Sequence, residues 1–120
     1  MITGIINEKL EPLLDDIFIE GKNGWIALRT LLDTGFNSAF CLPKKYAEEA
    51  KMEFLCEAEA ELGDGRIIIE HVYLGTILIN NQPTVVEITL TDSETAFMGM
   101  EMLLEKEAIF NLKTMTIKVQ

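Results

Sequence analysis

The sequence predicts an all-β domain, mainly antiparallel and closed or nearly closed into a barrel, with one or two short helices. Three observations carry that prediction. Short runs of apolar or β-branched residues recur along the chain, Gly, Asn and Asp clusters separate them, and only two brief segments have the composition of helices. The runs in order are Ile17 to Ile19, Trp25 to Leu32, Ile67 to Ile69, Tyr73 to Ile79 and Val85 to Leu90, and Met115 to Val119 alternates apolar and polar residues as an edge strand would. Gly21-Lys22-Asn23-Gly24 and Asn80-Asn81-Gln82-Pro83 supply residues that accept the positive φ of hairpin turns. Helices are expected over Pro43 to Met52, which opens on a proline, and over Met100 to Ala108.

At 120 residues and 48% apolar content, the chain suffices for one hydrophobic core, so residues 1–120 are read as a single domain. Charged residues at Glu8, Lys9 and Glu11 interrupt any signal-peptide core, and the uncharged stretch Val72 to Val86 carries Asn80, Asn81, Gln82 and Pro83 and is too short to span a bilayer. A cytoplasmic location with no membrane partner is expected. Ten basic against twenty acidic residues give a net charge of −10, which repels nucleic acid and disfavours phosphate binding. Cys41 and Cys56 lack metal-ligand spacing, lie in apolar stretches and are expected to be reduced core thiols.

The most informative segment is Leu31-Leu32-Asp33-Thr34-Gly35-Phe36-Asn37-Ser38, where an apolar strand ends in an acid, a hydroxyl and a glycine. A buried strand fixes Asp33 rigidly, and a sharp turn at Gly35 lets backbone N–H groups donate to its carboxylate. Downstream, Glu61-Leu62-Gly63-Asp64-Gly65-Arg66 reads as a hairpin tip between two strands, and Ala96-Phe97-Met98-Gly99-Met100-Glu101-Met102-Leu103 as a strand ending at a glycine before a helix. Each is common by itself. Their order and separation over nearly the whole chain are not.

In that order the three segments resemble retroviral-type, retropepsin-like aspartic proteases. The resemblance implies a closed acid-protease barrel with a flap hairpin. It assigns Asp33, Thr34 and Gly35 to the catalytic turn, Leu62, Gly63, Asp64 and Gly65 to the substrate-binding flap, and Phe36 and Gly99 to support of the active site. Phe36 stands where many members carry alanine, Asn37 and Ser38 where viral members carry acids, and Met100 where those members carry an arginine. The chemistry needs two carboxylates sharing a proton, and this chain has one such turn. Asp92-Ser93-Glu94 lacks a following glycine and an apolar lead-in, and Asp15-Asp16 would alternate faces if they lay on a strand, so neither is read as the second acid. The implied protein is therefore a homodimer, with Asp33 facing its own copy and the chain ends, Met115 to Val119 included, pairing across the two-fold axis. It would cleave an extended peptide or protein substrate with no metal and no cofactor. The alternative is a non-catalytic, dimeric peptide-binding or assembly module of the same fold.

Other hydrolase classes lack their residues. His71 is the only histidine and is read as a strand-surface residue, and no Gly-x-Ser-x-Gly elbow, zinc-ligand pattern or phosphate loop is present.

Overall fold

The computed structural model describes Met1–Gln120. It comprises twelve strands and two single 3-10 turns. The strands are β1 (Ile2–Ile6), β2 (Pro12–Leu14), β3 (Ile17–Gly21), β4 (Gly24–Ala27), β5 (Thr30–Leu32), β6 (Phe40–Pro43), β7 (Met52–Glu61), β8 (Ile67–Ile79), β9 (Gln82–Thr91), β10 (Ala96–Met98), β11 (Ala108–Asn111) and β12 (Thr116–Val119). They form one sheet in the order β11-β12-β1-β2-β5-β10-β6-β9-β8-β3-β4, with β7 paired to β8 off that path. The all-β expectation holds. The sheet is mixed, because β10 runs parallel to β5 and β6 parallel to β9 among otherwise antiparallel neighbours. Its hydrogen-bonded path has two ends, at β11 and β4, and so curls over without returning on itself.

Alternation of side chains decides which surface is the core. Leu32, Met98, Phe40 and Ile88 are register neighbours on four adjacent strands and all are buried. One cluster of 19 buried residues draws on both ends of the path, joining Ile2, Ile6, Ile117 and Val119 to Ile17, Ile19, Ile77 and Ile79. The sheet therefore folds onto itself around a single core.

The hairpins follow their turn chemistry. Asn80 and Asn81, at φ 53° and 61°, make the two-residue turn between Ile79 and Gln82, since both positions need positive φ. Lys22 and Asn23 connect the Gly21↔Gly24 pair, although that hairpin carries its strand only to Ala27 before breaking and resuming at Thr30.

Several expectations are corrected. Neither expected helix forms. Pro43 to Met52 contains only the turn Lys44–Tyr46, and Met100 to Ala108 only Met100–Leu103, with Glu105 at φ 63° beyond it. Both segments are too short to nucleate a helix unaided, and their ends are claimed by the sheet: Pro43 lies in β6, Met52 in β7 and Ala108 in β11. The segment Met115 to Val119 is no edge strand, because β12 lies between β1 and β11 and pairs with both. On this side of the sheet the edge strand is β11, where Ile109 and Phe110 are exposed. Cys56 is exposed and Cys41 half-buried, so both thiols are free but neither is a fully buried core residue. The alternating Glu–Ala run of β7 keeps Cys56 out of the body of the protein.

Because β12 is internal, truncating its apolar side chains destabilises the single chain. Ile117→Ala, at a position 2% exposed, should lower the free energy of unfolding by about 2–5 kcal/mol in urea titrations, whereas Ile109→Ala on the free edge should change it by about 0.5 kcal/mol or less.

Candidate active site

Asp33 follows directly on Thr30-Leu31-Leu32, a strand buried along its whole length. The ladder continues one residue past that strand, with the Asp33 N–H donating to Met98 O at 2.9 Å. The chain then turns: Phe36 N–H donates to Asp33 O at 3.2 Å, and Gly35 N–H donates to Asp33 Oδ1 at 2.9 Å. The carboxylate is thus met by a backbone donor from its own turn, while Thr34 and Gly35 lie exposed.

The far side of the turn is strapped to the segment after β10. Gly99 N–H donates to Ala39 O at 2.9 Å and Met100 N–H to Phe36 O at 2.8 Å. A Cβ on Gly99 would lie 2.1 Å from Ser38 O and 2.6 Å from Phe36 O, so only glycine lets the two segments approach. The structure therefore brings together Asp33, Thr34, Gly35, Phe36 and Gly99.

The residues Leu62, Gly63, Asp64 and Gly65 form the tip of the long β7–β8 hairpin. Leu62 N–H donates to Arg66 O at 2.8 Å, Gly65 N–H donates to Leu62 O at 2.9 Å, and Gly65 takes φ 86°. Asp64 Oδ1 accepts from Arg66 N at 3.0 Å and its other oxygen pairs with the Arg66 guanidinium at 2.6 Å, closing the tip locally. The hairpin extends past the body, with Phe54, Leu55, Ile67 and Ile69 exposed.

The groups set aside on sequence grounds stay apart from the turn. His71 is exposed on β8, with Nε2 3.4 Å from Glu57 Oε1 and its ring edge-on to Phe54 at 5.3 Å. Asp92 and Glu94 form exposed ion pairs with Lys44 at 2.9 Å and Lys45 at 2.7 Å. Asp15 accepts from Thr3 Oγ1 at 3.0 Å, and Asp16 sits at φ 52° in the turn before β3.

Sequence reasoning read Cys41 only as a core thiol and did not single out Glu70. Cys41 pairs with Phe97 on one side and Thr89 on the other. Burial pushes its thiol pKa up, a hydrogen bond with Thr89 pulls it partly back, and the negative charges of Glu70 and Asp33 push it up again. The register that brings these groups together was the missing signal. A surface concavity of about 420 Å³ lined by Glu20, Gly21, Lys22, Gly24, Trp25 and Lys51 lies at the β3–β4 hairpin and includes none of these residues.

Solved structures share this arrangement of strands and turns. The crystal structure of a retropepsin-like aspartic protease from Rickettsia conorii aligns with a TM-score of 0.60 at 14% sequence identity, covering 96% of this chain and 86% of that one. No protein-family model and no curated protein matches the sequence. The fold is retropepsin-like.

Two outcomes test this description. Gly99→Ala should lower stability by about 1–3 kcal/mol in urea titrations, while Gly63→Ala, whose Cβ would meet nothing within 4 Å, should shift it by about 0.5 kcal/mol or less. Iodoacetamide at neutral pH should modify the exposed Cys56 well before the half-buried Cys41, as read by peptide mass mapping, since the thiolate is the reactive form and burial raises the pKa of Cys41.

Proposed function

We propose that this chain is one half of an aspartic endopeptidase whose active site forms when two copies bring their Asp33 turns together. The observation that carries this reading is the Asp33 carboxylate itself, set at the end of a buried strand, held by Gly35 N–H and backed by the Gly99 strap. A turn built so firmly that still leaves Thr34 and Gly35 exposed is suited to meeting a second surface. A symmetric partner supplies the missing acid, since the same patch on both chains is self-complementary about a two-fold axis. Near the chain ends, the sheet edge that could meet a partner is β11, with Ile109 and Phe110 exposed, rather than the internal β12.

In the assembled site one Asp33 is ionised and takes a proton from water as the oxygen attacks the peptide carbonyl. The other Asp33, protonated, donates a hydrogen bond to that carbonyl oxygen. The tetrahedral intermediate collapses with proton transfer to the leaving nitrogen, which breaks the C–N bond and restores the shared proton. The β7–β8 hairpins lie over the substrate as lids, and the substrate binds as an extended strand. The fold match to an aspartic protease supports this reading.

Purified protein, with its size recorded, should cut a diverse peptide mixture, with a rate that rises and then falls with pH because one acid must be ionised and one protonated. Asp33→Ala should abolish every cut. No Asp33-dependent cut from a confirmed dimer at any pH would falsify the protease reading in favour of a peptide-binding module.

A further inference from the structure

Sheet register fixes which side chains share the side that carries Asp33. Leu31 pairs with Phe97, Phe97 with Cys41 and Cys41 with Thr89, and Thr89 lies next to the Ile88↔Tyr73 pair, which sets it beside Val72. Register neighbours point to one side of a sheet, as do residues two apart along a strand. Asp33 follows Leu31 by two, and its N–H bond to Met98 continues the ladder. On β8, Glu70 precedes Val72 by two and Ile68 precedes Glu70 by two, and β8 runs without a break from Ile67 to Ile79. The one irregularity lies on β7, between Phe54 and Cys56. Glu70 and Ile68 thus share the Asp33 side, and Ile67, Ile69 and His71 take the other.

Exposure agrees with the parity. Val72 is buried and Glu70 half-buried, and Ile68 is 37% exposed against 65% for Ile67 and 60% for Ile69. The Glu70 side of the hairpin is thus the less exposed of its two sides. Both carboxylates are felt at one thiol, since Glu70 and Asp33 each raise the pKa of Cys41. Opposite Glu70 stands Ala58, with Ala60 opposite Ile68, so short neighbours leave room beside the carboxylate. None of the chain's ion pairs uses Glu70, and none of its side-chain hydrogen bonds reaches it. A half-buried carboxylate with open space and no cation of its own is matched by a cation that arrives with the ligand.

We infer that Glu70 is a specificity-determining residue, selecting peptide strands that carry a lysine or arginine side chain in the position lying beneath it in the cleft. The inference rests on the reading of this cleft as a peptide-binding protease site. It narrows the substrate class to basic segments, and the net charge of −10 draws such segments toward the chain at low salt.

The test uses the Asp33→Asn variant, which keeps the shape of the acid while removing its charge, so that peptides are bound and not consumed. Dye-labelled extended peptides are compared by fluorescence anisotropy in pairs identical except for lysine or norleucine at one position, each position in turn. At one position lysine should bind about tenfold tighter, as a charge-assisted hydrogen bond provides. Adding Glu70→Gln should remove that preference, and adding Glu59→Gln, on the opposite side of the hairpin beside Ile69, should leave it intact. Absence of any lysine preference, a preference that survives Glu70→Gln, or no peptide binding at all would each overturn the inference. Cleavage by the parent protein is assayed on the same pairs. Asp33-dependent cleavage without lysine preference would discard the role of Glu70 and keep the protease, whereas Glu70-dependent lysine preference without cleavage would discard the protease and keep the basic-peptide site.

Discussion

The architecture of the candidate site depends on one close approach, the passage of the segment after β10 across the back of the Asp33 turn. Three backbone bonds make it: Asp33 N–H to Met98 O, Gly99 N–H to Ala39 O and Met100 N–H to Phe36 O. Gly99 makes it possible by carrying no side chain where Ser38 O and Phe36 O crowd in. Segments far apart in the chain are thereby locked as one unit, and the carboxylate inherits the rigidity of two strands. Rigid placement of a reacting group lowers the entropic cost of reaching a reactive geometry, which loops alone supply poorly.

Around this unit the sheet divides its labour by side. The side bearing Leu32, Met98, Phe40 and Ile88 is closed over by the rest of the sheet and holds the fold together. The side bearing Leu31, Phe97, Cys41 and Thr89 lies with Asp33 and is only partly covered. Partial cover suits a surface that must admit a ligand while keeping water from most of its apolar area. Such alternation lets a short chain build a core and a cleft from the same strands.

Much of this was legible in the sequence, and the residues show why. Asp33-Thr34-Gly35 and Gly99 declare themselves, because their roles rest on backbone geometry that few residue types satisfy. The turn at Asn80-Asn81 is readable for the same reason. The segments Lys44–Tyr46 and Met100–Leu103 misled, since an opening proline, or a short apolar stretch beside charged residues, suits a single helical turn as well as a helix and says nothing of its length. A strand before the Glu61–Arg66 tip was expected, but its extent over Met52–Glu61 was not legible, because its Glu–Ala alternation, exposed along nearly all its length, lacks the β-branched residues that mark half-buried strands. The internal position of β12 was invisible because a period-2 pattern is the same for an edge and a centre, and only the register with Ile2–Ile6 and Ala108–Asn111 tells them apart. Glu70 is the same problem at the site: alternation shows that it has a side, and tertiary pairing shows which one.

The pairing of Ile2 with Val119 has a bearing on how the chain is made as well as how it is held. β1 finds its principal partner only when β12 has left the exit tunnel. Until then Ile2 and Ile6 have no Ile117 or Val119 to cover them, and the core cannot close. Loop-closure entropy weighs on contacts so distant in sequence, so closure of the sheet waits on the emergence of β12. The Asp33 turn, whose own strap spans fewer residues, has all its parts available earlier, and the nascent chain can assemble its acid-bearing half before the two ends of the sheet are joined.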